Sequence, residues 1–167
     1  MPKTRRKRRL WYALTVPDEV TVILRVLIGT GLGFVIGFER GVRGSSAGDR
    51  TFSLVGAASA GITAVFFARS PQAVAGVVTG IGFIGGGVVL HDGQGNLVKG
   101  ITTAATVFMT AAIGLVVGAG RPWAGLLLAG LCVVILEVRY LPVLKYLDSQ
   151  RYRDRFGPDK ETEGPPI

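Results

Sequence analysis

The sequence predicts an all-α, polytopic membrane protein of about five tightly packed, glycine-rich transmembrane helices. Three observations predict it. Apolar runs rich in glycine and alanine fill most of the chain from Val20 to Leu141, and short polar stretches break them into five blocks. Each block matches a bilayer core, because a helix rising about 1.5 Å per residue crosses a ~30 Å hydrocarbon layer in about 20 residues. Glycines recur every four residues within the blocks, a spacing that lines them along one helix face.

The elements follow in order. Residues 1–19 read as a basic tail carrying Lys3, Arg5, Arg6, Lys7, Arg8 and Arg9, with Trp11 and Tyr12 as an interfacial anchor. The paired arginines look like a twin-arginine signal. Yet the apolar run Leu10–Val16 is short and stops at Pro17-Asp18-Glu19 without a small-residue cleavage site, so the first span reads as uncleaved. The transmembrane domain is expected over 20–141, with spans at 20–38, 51–68, 73–90, 101–118 and 123–141. The connectors are short, so neighbouring spans should form antiparallel hairpins. Residues 142–167 are expected to form a charged, disordered tail, its last stretch from Gln150 rich in charge and proline.

Glycine spacing indicates how the spans pack. Gly29, Gly33, Gly37 and Gly41 share one face of the first helix; Gly76/Gly80 and Gly82/Gly86 recur in the third and Gly114/Gly118 in the fourth. Lipid tails are as apolar as leucine, so helices in a bilayer associate by close approach over small residues. A tight bundle is expected, extending across a homodimer interface as one option.

Composition narrows the function classes. With 167 residues and a mean hydropathy of +0.44, five spans leave no room for a separate soluble domain of ordinary size. The net charge of +8 comes mainly from the two ends, where basic flanks meet anionic headgroups of the bilayer. No recognition element accompanies them, so nucleic acid is not an expected partner. Cys132 is the only cysteine and His91 the only histidine, which excludes an intrachain disulfide, cysteine clusters and histidine-rich metal sites. An enzyme is not expected, for want of a nucleophile–base pair. Gly80-Ile81-Gly82-Phe83-Ile84-Gly85 fits a dinucleotide fingerprint, but it lies in mid-span with no acidic residue about 20 positions later. Helix contact explains it better.

The ionisable residues carry more. Glu39 and Arg40 end the first span, Asp49, Arg50 and Thr51 open the second, Lys99, Thr102 and Thr103 open the fourth, and Glu137 lies near the end of the fifth. Alternating helices place all of these near one membrane face. They are either helix-end pairs and caps that fix the loops, or a polar pocket at the mouth of the bundle. In the pocket, Glu39 and Glu137 would accept, Arg50 would donate to an anionic ligand or partner, and Thr102 and Thr103 would add hydroxyls. Arg25 lies near the opposite face and is expected to snorkel to that surface. Lysine and arginine are nearly balanced between the two faces, so the positive-inside rule does not choose an orientation.

Four stretches, in order and with suitable spacing, resemble the MgtC/SapB (MgtC/SapB/SrpB/YhiD) family of bacterial inner-membrane proteins. They are Gly37-Phe38-Glu39-Arg40, Ala47-Gly48-Asp49-Arg50-Thr51, Thr79-Gly80-Ile81-Gly82-Phe83-Ile84-Gly85-Gly86-Gly87 and Lys99-Gly100-Ile101-Thr102-Thr103-Ala104-Ala105-Thr106. The resemblance covers about residues 20–140. It implies five helices with the N-terminus outside and the C-terminus in the cytoplasm, and functional roles for Glu39, Arg40, Arg50, Thr51, Thr102 and Thr103. Asp49 stands where the family has an aliphatic residue, and Lys99 where arginine is usual. The basic N-tail is atypical, and the chain resembles a short form without the cytoplasmic C-terminal domain of longer members.

The resemblance implies a multi-pass protein of the plasma membrane linked to magnesium homeostasis and adaptation to low magnesium. It implies a non-enzymatic regulator that acts through a membrane partner such as the ATP synthase or a transporter. The alternative is a transporter or channel for magnesium or another ion, with Glu39 and Glu137 on the path. No cofactor is expected; magnesium is a candidate ligand, but it wants several oxygen ligands and sheds water reluctantly, and the spans offer few acids.

Overall fold

The computed structural model describes residues 17–91 and 100–137. These residues form five helices and no strand: α1 Glu19–Val42, α2 Asp49–Phe66, α3 Pro71–His91, α4 Ile101–Gly118 and α5 Pro122–Glu137. The basic tail up to residue 16, Lys99 and everything after Glu137, including the end of the expected fifth span and the charged tail, lie outside the described residues. The chain divides into two compact units, residues 1–133 and 134–167, and of the second only the last turn of α5 is described.

Punctuation residues account for the helix ends. α1 runs past the expected boundary at residue 38, because Glu39 and Arg40 are polar but remain good helix formers. It stops at Gly44, whose φ of 71° lies in the left-handed region. Gly44 N donates to Gly41 O and Ser45 N to Arg40 O, the paired bonds of a Schellman cap. α4 ends the same way: Gly120 has φ 84°, Gly120 N donates to Val117 O and Arg121 N to Val116 O. Pro71 and Pro122 each open a helix at its first position, where a missing N–H costs nothing and a fixed φ helps.

α1, α3 and α4 are long and apolar enough to cross a membrane, and α5 is a shorter apolar helix over its described length. α2 is the least apolar of the five. Its position explains this, since α2 packs against α1, α4 and α3 and so meets protein more than lipid. Phe52 of α2, Ile36 of α1, and Val107, Ile113 and Val117 of α4 are fully buried between these helices. The outward faces carry Leu54, Phe83, Trp123 and Leu127, as a lipid-facing surface requires.

The α1–α2 and α2–α4 seams are built on glycine. A Cβ placed on Gly33 would lie 2.3 Å from Phe52 O, one on Gly56 2.2 Å from Gly29 O, and one on Gly118 2.4 Å from Ala60 O. Gly29 and Gly37 are equally constrained, by Gly56 O and Ala60 Cβ and by Asp49 Cα and Gly48 O. No side chain fits at these points, and backbone meets backbone.

α3 differs. Among the described residues a Cβ on Gly76, Gly80, Gly82, Gly86 or Gly87 would meet nothing within 4 Å, whereas one on Gly85 would approach Ala104. Ile81 is the buried residue of α3 among those whose side chains are described. Positions 81 and 85 are one helical turn apart, so the face they present to α4 turns Gly80, Gly82 and Gly86 outward.

Candidate functional site

The first unit gathers its polar side chains at the end where α1 finishes and α2 and α4 begin. Glu39 and Arg40 occupy the last turns of α1. Arg43 Nε donates to Glu39 Oε1 at 2.6 Å, an i,i+4 pair in which the Glu39 side chain keeps only 11% of its exposure and Arg43 26%. An acidic residue one turn N-terminal to a basic one is the favourable order, and cations near a helix C-terminus complement its dipole.

The turn after α1 completes the arrangement. The Schellman cap folds Ser45 back over the helix end, and Ser45 Oγ then lies 3.0 Å from Thr103 Oγ1 on α4, a contact in which either hydroxyl can donate. Arg40 Nη2 donates to the same Thr103 oxygen at 3.3 Å. Thr103 is buried, so it ties α1, the following turn and α4 together where a lost partner would not be replaced by water. Two atoms in this cluster are buried without a hydrogen-bond partner: Glu39 Oε2, an acceptor, and Arg40 Nε, a donor. Cys132 of α5 is also buried.

At the other end of the first unit, Arg25 of α1 donates from Nη1 to Gly118 O at 2.8 Å. The arginine expected to snorkel is half-buried and caps the C-terminus of α4 instead.

Of the residues expected at the polar mouth, the structure brings Arg40 to Thr103 and seats Glu39 beside them, paired with Arg43. Arg50 and Thr102 are exposed and Thr51 half-buried, and none of the three hydrogen-bonds to the cluster. Lys99 falls outside the described residues. Glu137, half-buried, ends the described part of α5 in the second unit. Arg43, Ser45 and Cys132 were not among the expected residues. The i,i+4 spacing of Glu39 and Arg43 and the Gly44-Ser45 pair after a helix were signals for two of them; nothing local marked Cys132. Among the described residues, no group of three or more histidine, cysteine, aspartate or glutamate side chains could hold a metal ion.

Comparison with known proteins fits this framework. The MgtC family profile matches residues 26–141. The "Putative magnesium transporter YhiD" of Escherichia coli K12 is 39% identical over 129 residues, covering 70% of this chain and 59% of the relative. Protein MgtC of Brucella abortus strain 2308 is 36% identical over 129 residues, covering 73% of this chain and 52% of its own length. An uncharacterised protein of Haemophilus influenzae is 29% identical over 161 residues, 86% of this chain and 66% of that protein. The chain thus spans about half to two thirds of the length of the curated relatives it matches. No solved structure matches. Matched along most of its length, from inside α1 to beyond α5, this helical membrane protein belongs to the MgtC family.

Proposed function

We propose that this chain is a multi-pass protein of the bacterial inner membrane that serves magnesium homeostasis and adaptation to low magnesium as a non-enzymatic regulator. It acts on a membrane partner, the ATP synthase or a transporter, through the cluster of Glu39, Arg40, Arg43, Ser45 and Thr103 on the cytoplasmic face. The magnesium link rests on the family and on the name of its Escherichia coli relative. One observation carries the choice of regulator. Backbones at the core seams approach so closely that a single added carbon on Gly33, Gly56 or Gly118 would lie 2.2–2.4 Å from a carbonyl oxygen. A magnesium ion keeps several waters, each about 2.0–2.1 Å from the metal, and sheds them reluctantly, so these seams offer it no lane.

The transporter reading keeps one observation in its favour. Glu39 Oε2 is a buried carboxylate oxygen without a partner, as a cation ligand would be before its ion arrives. Reconstitution separates the two. Protein shown to be folded is placed in liposomes with a magnesium indicator, beside empty liposomes and the Glu39→Gln variant. The regulator predicts uptake equal to that of empty liposomes. Uptake above that level which falls in Glu39→Gln would establish the transporter instead.

A further inference from the structure

Arg25 and Arg121 bring two cations to the end of the first unit where α4 finishes. Arg25 stands on α1 in the row of Gly29 and Gly33, one turn before the glycines begin to line the seam. It spends Nη1 on Gly118 O. A guanidinium carries five N–H donors in one plane, so most of them remain after that bond. The turn after α4 supplies the second cation. A Cβ on Gly120 would lie 2.9 Å from Arg25 Nη2, and Arg121 comes next, its Cα about 3.8 Å from that of Gly120. Arg121 is exposed, and its long stem lets its guanidinium come alongside that of Arg25.

Among the described residues neither arginine has an acidic partner; the ion pair there joins Glu39 to Arg43 at the opposite end. Glu19 and Asp18 stand six and seven residues before Arg25, about 9–10 Å further out along the helix axis. Asp18 is engaged by the Thr21 hydroxyl. Two guanidinia placed side by side repel each other, and the more so where protein and lipid displace water. An anion between them reverses the sign of that interaction. Phosphate is the anion whose oxygens match the planar fork of arginine.

The neighbours of Arg121 decide the source of the phosphate. Trp123 is 81% exposed, and Leu127, one turn further along α5, is 73% exposed. Tryptophan sits at the headgroup level of a bilayer, so this row leads from the arginines down into the hydrocarbon. A phosphate held here is one attached to acyl chains. We propose that Arg25 and Arg121 bind the phosphate of an anionic phospholipid between them, with an acyl chain along Trp123 and Leu127. The lipid supplies the counter-ion at the point where α1 caps α4. An anionic headgroup is favoured over phosphatidylcholine, whose ammonium returns a positive charge to the arginine pair.

The test is native mass spectrometry of the full chain released from detergent, titrated with phosphatidylglycerol or phosphatidylcholine. The native protein should retain phosphatidylglycerol more tightly. Arg121→Gln, which leaves the Arg25 cap in place, should weaken that binding about fivefold. Arg69→Gln, an exposed arginine in the turn between α2 and α3, should leave it unchanged. Equal affinity of the native protein for the two lipids would overturn the proposal without any variant having to fold. Undiminished binding in Arg121→Gln would overturn it too, as would an equal loss in Arg69→Gln, which would mean general attraction to a basic surface. Glycerol phosphate at the concentration of the lipid should not compete; competition would assign the site to a free phosphate instead of a lipid.

Discussion

Arg25 and Gly118, separated by 93 residues, are joined by a 2.8 Å hydrogen bond from the guanidinium Nη1 to the backbone carbonyl. The Schellman bonds at the end of α4 engage the carbonyls of Val116 and Val117 and leave that of Gly118 to be satisfied from outside. A cation is the right donor there, since the helix C-terminus is the negative end of its dipole. Removing it with Arg25→Ala should destabilise the bundle by about 1.5–3 kcal/mol, the range for hydrogen bonds to charged groups. Thermal unfolding in detergent micelles checks this. A variant of native stability would mean that water or lipid headgroups replace the cap without loss.

The glycine that closes the same turn should be more sensitive than its counterpart at the end of α1. Gly44 and Gly120 both have positive φ. A Cβ on Gly44 meets nothing within 4 Å, whereas one on Gly120 lies 2.9 Å from Arg25 Nη2. Gly44→Ala should cost about 1 kcal/mol, from backbone strain alone. Gly120→Ala should cost more, because it also displaces the capping guanidinium. Parallel melting curves rank the two, and equal losses would show that Arg25 moves aside freely.

A contrast between helices tests the packing. Gly33→Ala forces a carbon against Phe52 O, and overpacking of that kind costs about 1–3 kcal/mol. Gly82→Ala on α3 has open space around it and should be neutral or stabilising by up to about 1 kcal/mol, the helix-propensity difference. Unfolding midpoints of the two variants should move apart. A clear loss in Gly82→Ala would show instead that the outward glycines of α3 pack against another chain, as a homodimer would require.

Thr103 is the joint of the cluster, accepting from Arg40 and sharing a hydrogen bond with Ser45. Thr103→Val keeps the shape and removes the hydroxyl. It should lower stability by about 1–3 kcal/mol, since partners are left unsatisfied, and abolish support of growth at low magnesium. Thr103→Ser should retain most of both. Growth of a dependent strain at limiting magnesium, with membrane levels of the protein matched, reads the effect. Full function in Thr103→Val would separate the cluster from the regulatory role.

The helices were legible in the sequence because length and hydropathy are local quantities. The start of α4 after Gly100 fell where expected, whereas Pro71 and Pro122, which lay before the expected spans 73–90 and 123–141, each open a helix. Polarity was a poorer guide to a helix end: Glu39 and Arg40 end an apolar stretch but not the helix, which runs on to Val42. Glu39, Arg40 and Thr103 could be singled out as polar residues at helix ends, and the family resemblance named the same three. That Arg40 chooses Thr103 while Arg50 and Thr102 face outward could not be read. Both threonines open the same helix, and which one is buried depends on a rotation of about 100° per residue that only the neighbouring helix fixes.

By itself, then, the sequence determined that this chain is a glycine-rich bundle of membrane helices. Only the tertiary structure decided which glycines are contacts. Gly29, Gly33 and Gly37 bear directly on the backbone of α2, whereas a Cβ on Gly80, Gly82 or Gly86, at similar spacing, would meet nothing within 4 Å among the described residues. The physical reason is the solvent. In water an apolar stripe announces the buried face of a helix, but in lipid every face is apolar and association follows steric fit. Fit belongs to a pair of helices, so a single helix sequence does not contain it.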